Sequence, residues 1–503
     1  MEIYDLLYKW VPVYLRLPIL FILFFVVLTA NGVFAGNITD MFSSLGVYNE
    51  PYTQAANAMY IGMGLGLILH TRMKMRFSSK TLLIAGLSGM LLMNIICATT
   101  SNPTLTVFAC LIIGITKISA LIEVYIIWMI IWSKKLDTKR LYPFVYFTAL
   151  CGLYFVTWLT TWLTYNYNWR FSYIVIFIML LVCILLALIF TENHPLKKRL
   201  PLYQMDYPGL ILLGAAMLLL NYAVVNGTVE DWLESKKIIA ALFGAVISFL
   251  LFIRRELTTK HPIFDMQTFK KANFRVGLLY FFLLGIFIPG TFQSAFSGGI
   301  LHYEMIRNME LNLYLIPGIF LGCIYCYIWY LKEFDEDLLI MTGFLAFVIY
   351  HILMYNNFVT DFNIQGFLIP LIIKGFGTAL LYISVGLLLT RNFSLTKIMG
   401  AGGAMIIVRS FLGSAVCSAL YSYFFYAERI KRFNYLAGMT DPNNSLIKEH
   451  GTSIDFYKNL QGQAVLTTSK ELSGYIIIAG IILLTILLIR YIYQKLMNRI
   501  TAS

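Results

Sequence analysis

About fourteen runs of roughly 20 apolar residues each divide this chain of 503 residues. An α-helix rises 1.5 Å per residue, so a run of that length matches a hydrocarbon layer about 30 Å thick. Inside such a layer the backbone finds no water, and only helices or closed barrels satisfy its N–H and C=O groups. Barrel strands are about half as long and alternate polar with apolar residues, which these runs do not. The first six runs lie near 17–36, 52–70, 81–99, 104–132, 142–164 and 171–191. Two follow at 207–226 and 237–253, and six more near 274–297, 311–331, 338–356, 363–389, 397–426 and 473–496. The pattern predicts an all-α integral membrane protein, and only 13% of the residues are charged, about half the share in soluble domains.

The net charge of +13 raises nucleic acid as a partner, but a membrane accounts for it better, because basic residues collect in cytoplasmic loops. Lys and Arg concentrate in alternate loops, which places both termini in the cytoplasm and predicts no nucleic-acid partner. One loop assigned inside is acidic, from Lys332 to Asp337. The first run (17–35) is long enough to span, with no small-residue cleavage site after it, so no cleaved leader is expected. All seven cysteines lie in apolar runs, which argues against a disulfide-stapled exterior. Cys323 and Cys326 have CxxC spacing but read as small buried helix residues. The stretch Tyr4–Trp10 suits an amphipathic helix in the headgroup plane or a plain tail. Between Glu428 and Ser473 there is room for an external subdomain, with a turn signal at Asp441-Pro442-Asn443-Asn444.

Four charges fall deep inside apolar runs: Lys117, Glu123, Lys374 and Arg409. A charge at that depth costs about 2.5–3.5 kcal/mol on insertion scales, which makes each a candidate for a working site. For Lys117 and Lys374, one reading is a positive midplane site for an anionic group. The other is a lysine that caps a backbone carbonyl or snorkels from a helix interface. Six positions separate Glu123 from Lys117, about 240° of helix rotation, so the two do not face each other. Glu123 must pair with another helix, meet water or be protonated. Tyr154, Trp158 and Trp162 recur at i, i+4, i+8, forming either a stacking wall for a flat substrate or packing plus an interfacial belt. Gly62, Gly64 and Gly66 suit close helix packing. The chain shows no phosphate-binding loop, His/Cys metal cluster or nucleophile motif. No cofactor, metal or catalytic residue is expected, an enzyme is not, and any pumping would draw on a gradient.

The order of local patterns resembles the major facilitator superfamily in its fourteen-helix drug:proton antiporter branch (EmrB/QacA-like). Asn168-Trp169-Arg170-Phe171 resembles the signature between helices 5 and 6, and Asp206-Tyr207-Pro208-Gly209 the start of the first inserted helix. His261-Pro262-Ile263-Phe264-Asp265 with Asn273-Phe274 resembles the link into the second half, and Leu315-Ile316-Pro317-Gly318 a step in the helix after it. Arg409 with Leu412-Gly413-Ser414, and Gln463-Ala464, resemble segments of the last two helices. The resemblance implies a six + two + six plan: an N-terminal half 1–191, two inserted helices in 192–255, and a C-terminal half 256–503 that includes an external loop 428–472. Departures are local. The loop after helix 2 keeps Gly66 and a basic run with Arg72 but lacks the family's Asp. Helix 4 has Cys110 to Gly114 where relatives carry Arg-x-x-Gln-Gly. Helix 5 has Cys151-Gly152-Leu153 in place of the antiporter motif, and Asn31 stands where the branch has an acid.

On that resemblance the fourth helix of each half lines a central cavity, which brings Lys117 and Lys374 into it. Cys110–Gly114 and Pro370–Lys374 even echo each other, as a repeat of halves would. The implied activity is proton-driven efflux of a small amphipathic compound or drug, anionic ones included, by alternating access in a bacterial inner membrane. Glu123 would couple protons. Lys117, Lys374, Asn31, Tyr154, Trp158 and Trp162 would contact substrate, and Arg409, Arg72 and Gly66 would serve structure or gating. The implied partners are a small-molecule substrate, protons, the bilayer, and a periplasmic adaptor with an outer-membrane channel. The alternatives are a non-transporting receptor or scaffold, or a facilitator or importer without proton coupling.

Overall fold

The computed structural model describes residues 7–132, 138–193, 206–259, 262–264, 266–360, 362–391, 393, 395–440, 445 and 453–502. In chain order the helices are α1 (Val13–Thr29), α2 (Ile38–Leu45), α3 (Glu50–Met73), α4 (Ser79–Thr99), α5 (Pro103–Trp132), α6 (Thr138–Asn166), α7 (Trp169–Phe190), α8 (Tyr207–Asn226), α9 (Lys236–Thr258) and α10 (Met266–Lys270). Then come α11 (Ala272–Phe287), α12 (Thr291–Gly299), α13 (Met305–Leu313), α14 (Leu315–Leu331), α15 (Glu336–Asn357), α16 (Leu368–Thr390) and α17 (Leu395–Ile406). A π-helical segment (Ile407–Val416), α18 (Cys417–Gly438) and α19 (Ile454–Ala502) complete the chain. The described residues hold no β-strand, only an isolated bridge between Leu7 and Thr191. The all-α membrane fold is as expected, and every expected run falls on helix.

Twelve helices among the described residues are long and apolar enough to cross a membrane. A count of fourteen also needs α1, whose apolar stretch is shorter, and α3, which is less apolar. The composition of α3 has a physical reason. Half of its residues are buried between neighbouring helices, so little of it must match lipid.

Two helices break inside the expected runs. α1 stops at Thr29, where the threonine hydroxyl turns back onto the Phe25 carbonyl at 2.9 Å and Asn31-Gly32 follow. α11 stops at Phe287, because Pro289 disfavours helix at Ile288 and lacks an N–H of its own. α12 restarts after Gly290.

The chain divides into two compact units, Met1–Phe282 with Val385–Val416, and Leu283–Ser384 with Cys417–Ser503. Glycines set the helix crossings in each. In the first, a Cβ on Gly62 would overlap the Leu111 carbonyl oxygen and one on Gly114 the Met59 carbonyl oxygen, so α3 and α5 touch backbone to backbone. Gly66 continues that contact against Ile115 and Ile118, while Gly64 turns the other way, to Ile407 and Gly403. In the second unit, Gly318 meets the Ile372 carbonyl and Gly375 the Leu315 carbonyl in the same fashion, joining α14 to α16. The two crossings superpose Leu111 on Ile372 and Gly114 on Gly375. The sequence echo of Cys110–Gly114 with Pro370–Lys374 is therefore displaced by one residue. Lys374 corresponds to Ile113, and Lys117 to Thr378.

The resembling motifs have local jobs. The Asp206 carboxylate caps α8 through the Gly209 N–H at 3.2 Å and pairs with Arg255 at 2.6 Å. The buried Glu256 accepts from the backbone N–H groups of Ile263 and Phe264, pinning the link after α9. His261 and Asp265 lie outside the described residues. The acidic loop is a helix start: Asp335 is the N-cap of α15, with Glu336 and Asp337 in its first turn, where carboxylates favour the helix dipole.

Tyr4–Leu6 lie outside the described residues. The rest of that stretch is not helical: the Tyr8 N–H donates to the Phe190 carbonyl at 3.0 Å, and Trp10 packs on Phe190. The described part of 428–472 continues two helices. α19 has 49 residues, about 74 Å, well beyond a bilayer of about 40–45 Å. Its N-terminal part pairs with α18 through Arg432 and Glu471 (2.9 Å) and Phe433 on Tyr457. The turn Asp441–Asn444 lies outside the described residues.

Candidate functional site

Each unit holds one buried lysine at the break of a helix. In the first, Lys117 is 3% exposed. Its ammonium donates to the Leu28 carbonyl at 2.7 Å and to Asn31 Oδ1 at 2.5 Å. Leu28 lies in the last turn of α1, whose carbonyls have no intrahelical donor and carry the negative end of the dipole. Tyr173 continues the seam, its hydroxyl donating to the Gly32 carbonyl at 2.8 Å. Two expected site residues, Lys117 and Asn31, thus meet directly, and what they form is a cap.

In the second unit, Lys374 is 7% exposed. Its ammonium lies 4.8 Å from the centre of the Tyr350 ring, and 3.9 Å from the point a Cβ on Gly290 would occupy. Among the described residues it forms no hydrogen bond or ion pair. Tyr350 donates to Gln293 Oε1 at 3.2 Å, in the first turn of α12. The α11 end is closed without the lysine. His351 Nε2 meets the Phe287 carbonyl at 3.3 Å, and the Tyr421 hydroxyl donates to the Ile286 carbonyl at 2.8 Å.

Of the three outcomes open to Glu123, the structure shows pairing across helices. Its side chain is 1% exposed and accepts from Lys74 at the end of α3. His70 Nε2 lies 3.4 Å from the other carboxylate oxygen, and His70 Nδ1 bonds Ser119 at 3.1 Å. Lys74 also donates to Ser79 at 2.5 Å. Arg72, two residues earlier, forms no ion pair among the described residues; Lys74 makes the contact instead. Gly66 holds the α3–α5 crossing that brings these groups together.

Arg409 sits in the π-helical segment. It donates to the Tyr146 hydroxyl at 2.9 Å and lies over the rings of Tyr146 and Phe281. Of the aromatic stripe on α6, Tyr154 and Trp158 are half-buried and Trp162 is exposed. Trp158 packs on Phe155 and Trp162 on Tyr167. No group of three or more metal-ligating residues occurs among the described residues, and Cys323 and Cys326 are buried in α14.

Sequence reasoning missed His70 and Lys74, although their i, i+4 spacing puts both on one face of α3. It also missed Gly290, Gln293 and Tyr350, although Pro289-Gly290 inside an apolar run marks a break.

Comparison with known proteins agrees with this architecture. The chain is 26% identical over 219 residues to the colistin resistance protein EmrB of Acinetobacter baumannii, covering 42% of this chain and 41% of that one. It is 23% identical over 304 residues to the fatty acid resistance protein FarB of Neisseria gonorrhoeae, covering 56% and 57%. The chain thus spans about half the length of the curated relatives it matches, at the low identity of a divergent member. In fold it is similar to the tetrameric transporter PepTSo2, with a TM-score of 0.57 at 13% identity over 96% of this chain and 98% of that one. The sequence model of the Major Facilitator Superfamily matches residues 20–418, and with the helical fold and the buried charges in place, this multi-pass membrane protein belongs to that superfamily.

Proposed function

We propose that the protein is a secondary active transporter, not an enzyme, that exports a small amphipathic anionic compound by alternating access. It would have fourteen crossings in a six + two + six plan, in a bacterial inner membrane with both termini cytoplasmic. The observation that carries this reading is Lys374, a buried ammonium on a facilitator fold with no carboxylate paired to it among the described residues. Burying an uncompensated charge is costly, and a negative partner from outside the protein would offset that cost. Resistance relatives, one to fatty acids, support export and an anionic cargo. The helices α18 and α19, extended past the bilayer, would present the surface for a periplasmic adaptor.

Glu123 is the group for proton coupling: a proton on its carboxylate would release Lys74 and loosen the end of α3. A second reading, a facilitator without proton coupling, is favoured by the same geometry, since Glu123 is sealed and already paired. Everted membrane vesicles decide between them. Proton-driven export predicts uptake of labelled anion that stops when the pH gradient is collapsed and is lost in Glu123→Gln. Uptake indifferent to both changes selects the facilitator, and no carriage of any cargo refutes transport.

A further inference from the structure

Resting on the transporter reading, we propose that Lys374 and the first turn of α12 form a seat for the carboxylate headgroup of an amphipathic cargo, and that Lys117 does not touch cargo. Three observations lead there. First, α12 begins inside an expected span, and its N-cap is Gly290, which has no side chain to accept from the first N–H groups. Those groups have no intrahelical partner and form the positive end of the helix dipole. Second, the Lys374 ammonium is aimed at that end. It is nine-tenths buried, without a hydrogen bond or ion pair among the described residues, and 3.9 Å from the Cβ that Gly290 lacks. Two positive features are thus buried side by side. The electrostatics are repulsive unless an anion joins them, and half-helix N-termini inside membranes are established anion sites. Third, Lys117 shows the opposite arrangement. It faces the negative, C-terminal end of α1 and is bonded to Leu28 and Asn31, so it requires no anion.

A carboxylate between the Lys374 ammonium and the α12 N–H groups completes both. Phe287 before the break and Phe292 after it are buried, and the Tyr350 ring lies 4.8 Å from the ammonium, an apolar setting that suits a tail behind the headgroup. Gly290 keeps the entrance clear. Its backbone (φ −92°, ψ 14°) is open to alanine, and an added Cβ would meet nothing nearer than the lysine.

The test uses the full chain purified into lipid nanodiscs, with decanoate as probe and decanol and decyltrimethylammonium as controls, read by calorimetry. Decanoate should bind more tightly than either control. Lys374→Met should weaken it about 10- to 100-fold, the range for a charged hydrogen bond, with little change for decanol. Gly290→Ala, which leaves folding intact by thermal unfolding, should weaken decanoate as well. Decanoate binding unchanged in Lys374→Met, or decanol bound as tightly as decanoate, overturns the seat. Lys374-dependent decanoate binding without cargo movement in vesicles leaves the seat standing and removes the transport reading. Export of decyltrimethylammonium that ignores Lys374 does the reverse.

Discussion

The pairing of Lys74 with Glu123 predicts an asymmetric response to mutation. The Glu123 side chain is 1% exposed and that of Lys74 is 30% exposed. Lys74→Met strands a carboxylate with no route to water and only His70 beside it, at 3.4 Å. Breaking a buried pair from that side costs about 3–5 kcal/mol. Glu123→Gln is milder. The amide still accepts from Lys74, and the ammonium reaches solvent, so the loss is about 1–2 kcal/mol. The double variant buries no charge and should be more stable than Lys74→Met alone, giving a coupling of about 2 kcal/mol or more. The assay is denaturant unfolding in detergent micelles followed by tryptophan fluorescence, comparing midpoints at constant slope. If Lys74→Met is no worse than Glu123→Gln, or the two losses add within about 0.5 kcal/mol, the latch is wrong and Glu123 is not held by Lys74.

Further predictions concern folding. Lys117→Met leaves the Leu28 carbonyl and the Asn31 amide without their donor and should cost about 2–4 kcal/mol in the same unfolding assay, while the folded protein still binds decanoate. Gly62→Ala and Gly318→Ala drive a methyl into the Leu111 and Ile372 carbonyls; each should lose about 3 kcal/mol or more, seen as low yield and early unfolding. Gly400→Ala, in open space within α17, should be neutral or gain about 0.5–1 kcal/mol from helix propensity.

The features legible in the sequence are those set by neighbours along the chain. Apolar run length gave the spans, Pro289-Gly290 marks the break before α12, and the spacing of Gly62 and Gly66 marks a crossing face. The six-residue offset also excluded Lys117 as the partner of Glu123, leaving another helix, water or a proton. Which helix was not legible, because Lys74 is 49 residues away and only the α3–α5 crossing brings it near. The same limit explains the displaced repeat. Matching letters aligned Gly114 with Lys374, whereas the backbone contacts align Gly114 with Gly375, since packing compares where chains touch. The α1 end was read seven residues late because the residues after Thr29 are still mostly apolar. The tall helices of 428–472 were read as loop because helices outside lipid need no apolar run.

Lys117 and Lys374 show what a sequence leaves out even when it finds the right residues. Both are lysines near the middle of a fourth helix, and the insertion cost that singles them out is the same for each. What separates them is the polarity of the helix end that each meets. The C-terminus of α1 offers Lys117 carbonyl oxygens, so its charge is satisfied within the fold and its loss is a loss of stability. The N-terminus of α12 offers Lys374 only more positive potential, so its charge is an open valence. Satisfying both within the protein would need an acceptor such as a carboxylate beside Lys374, and the described residues pair none with it. On the proposed reading, an anionic cargo would supply that charge only while bound, which would tie the electrostatics of this unit to occupancy. An empty seat favours whatever arrangement lets water reach the ammonium, and a filled one permits closure around it. Binding can shift the equilibrium between those arrangements only by the difference in its affinity for them, and a headgroup neutralising Lys374 has that difference built in.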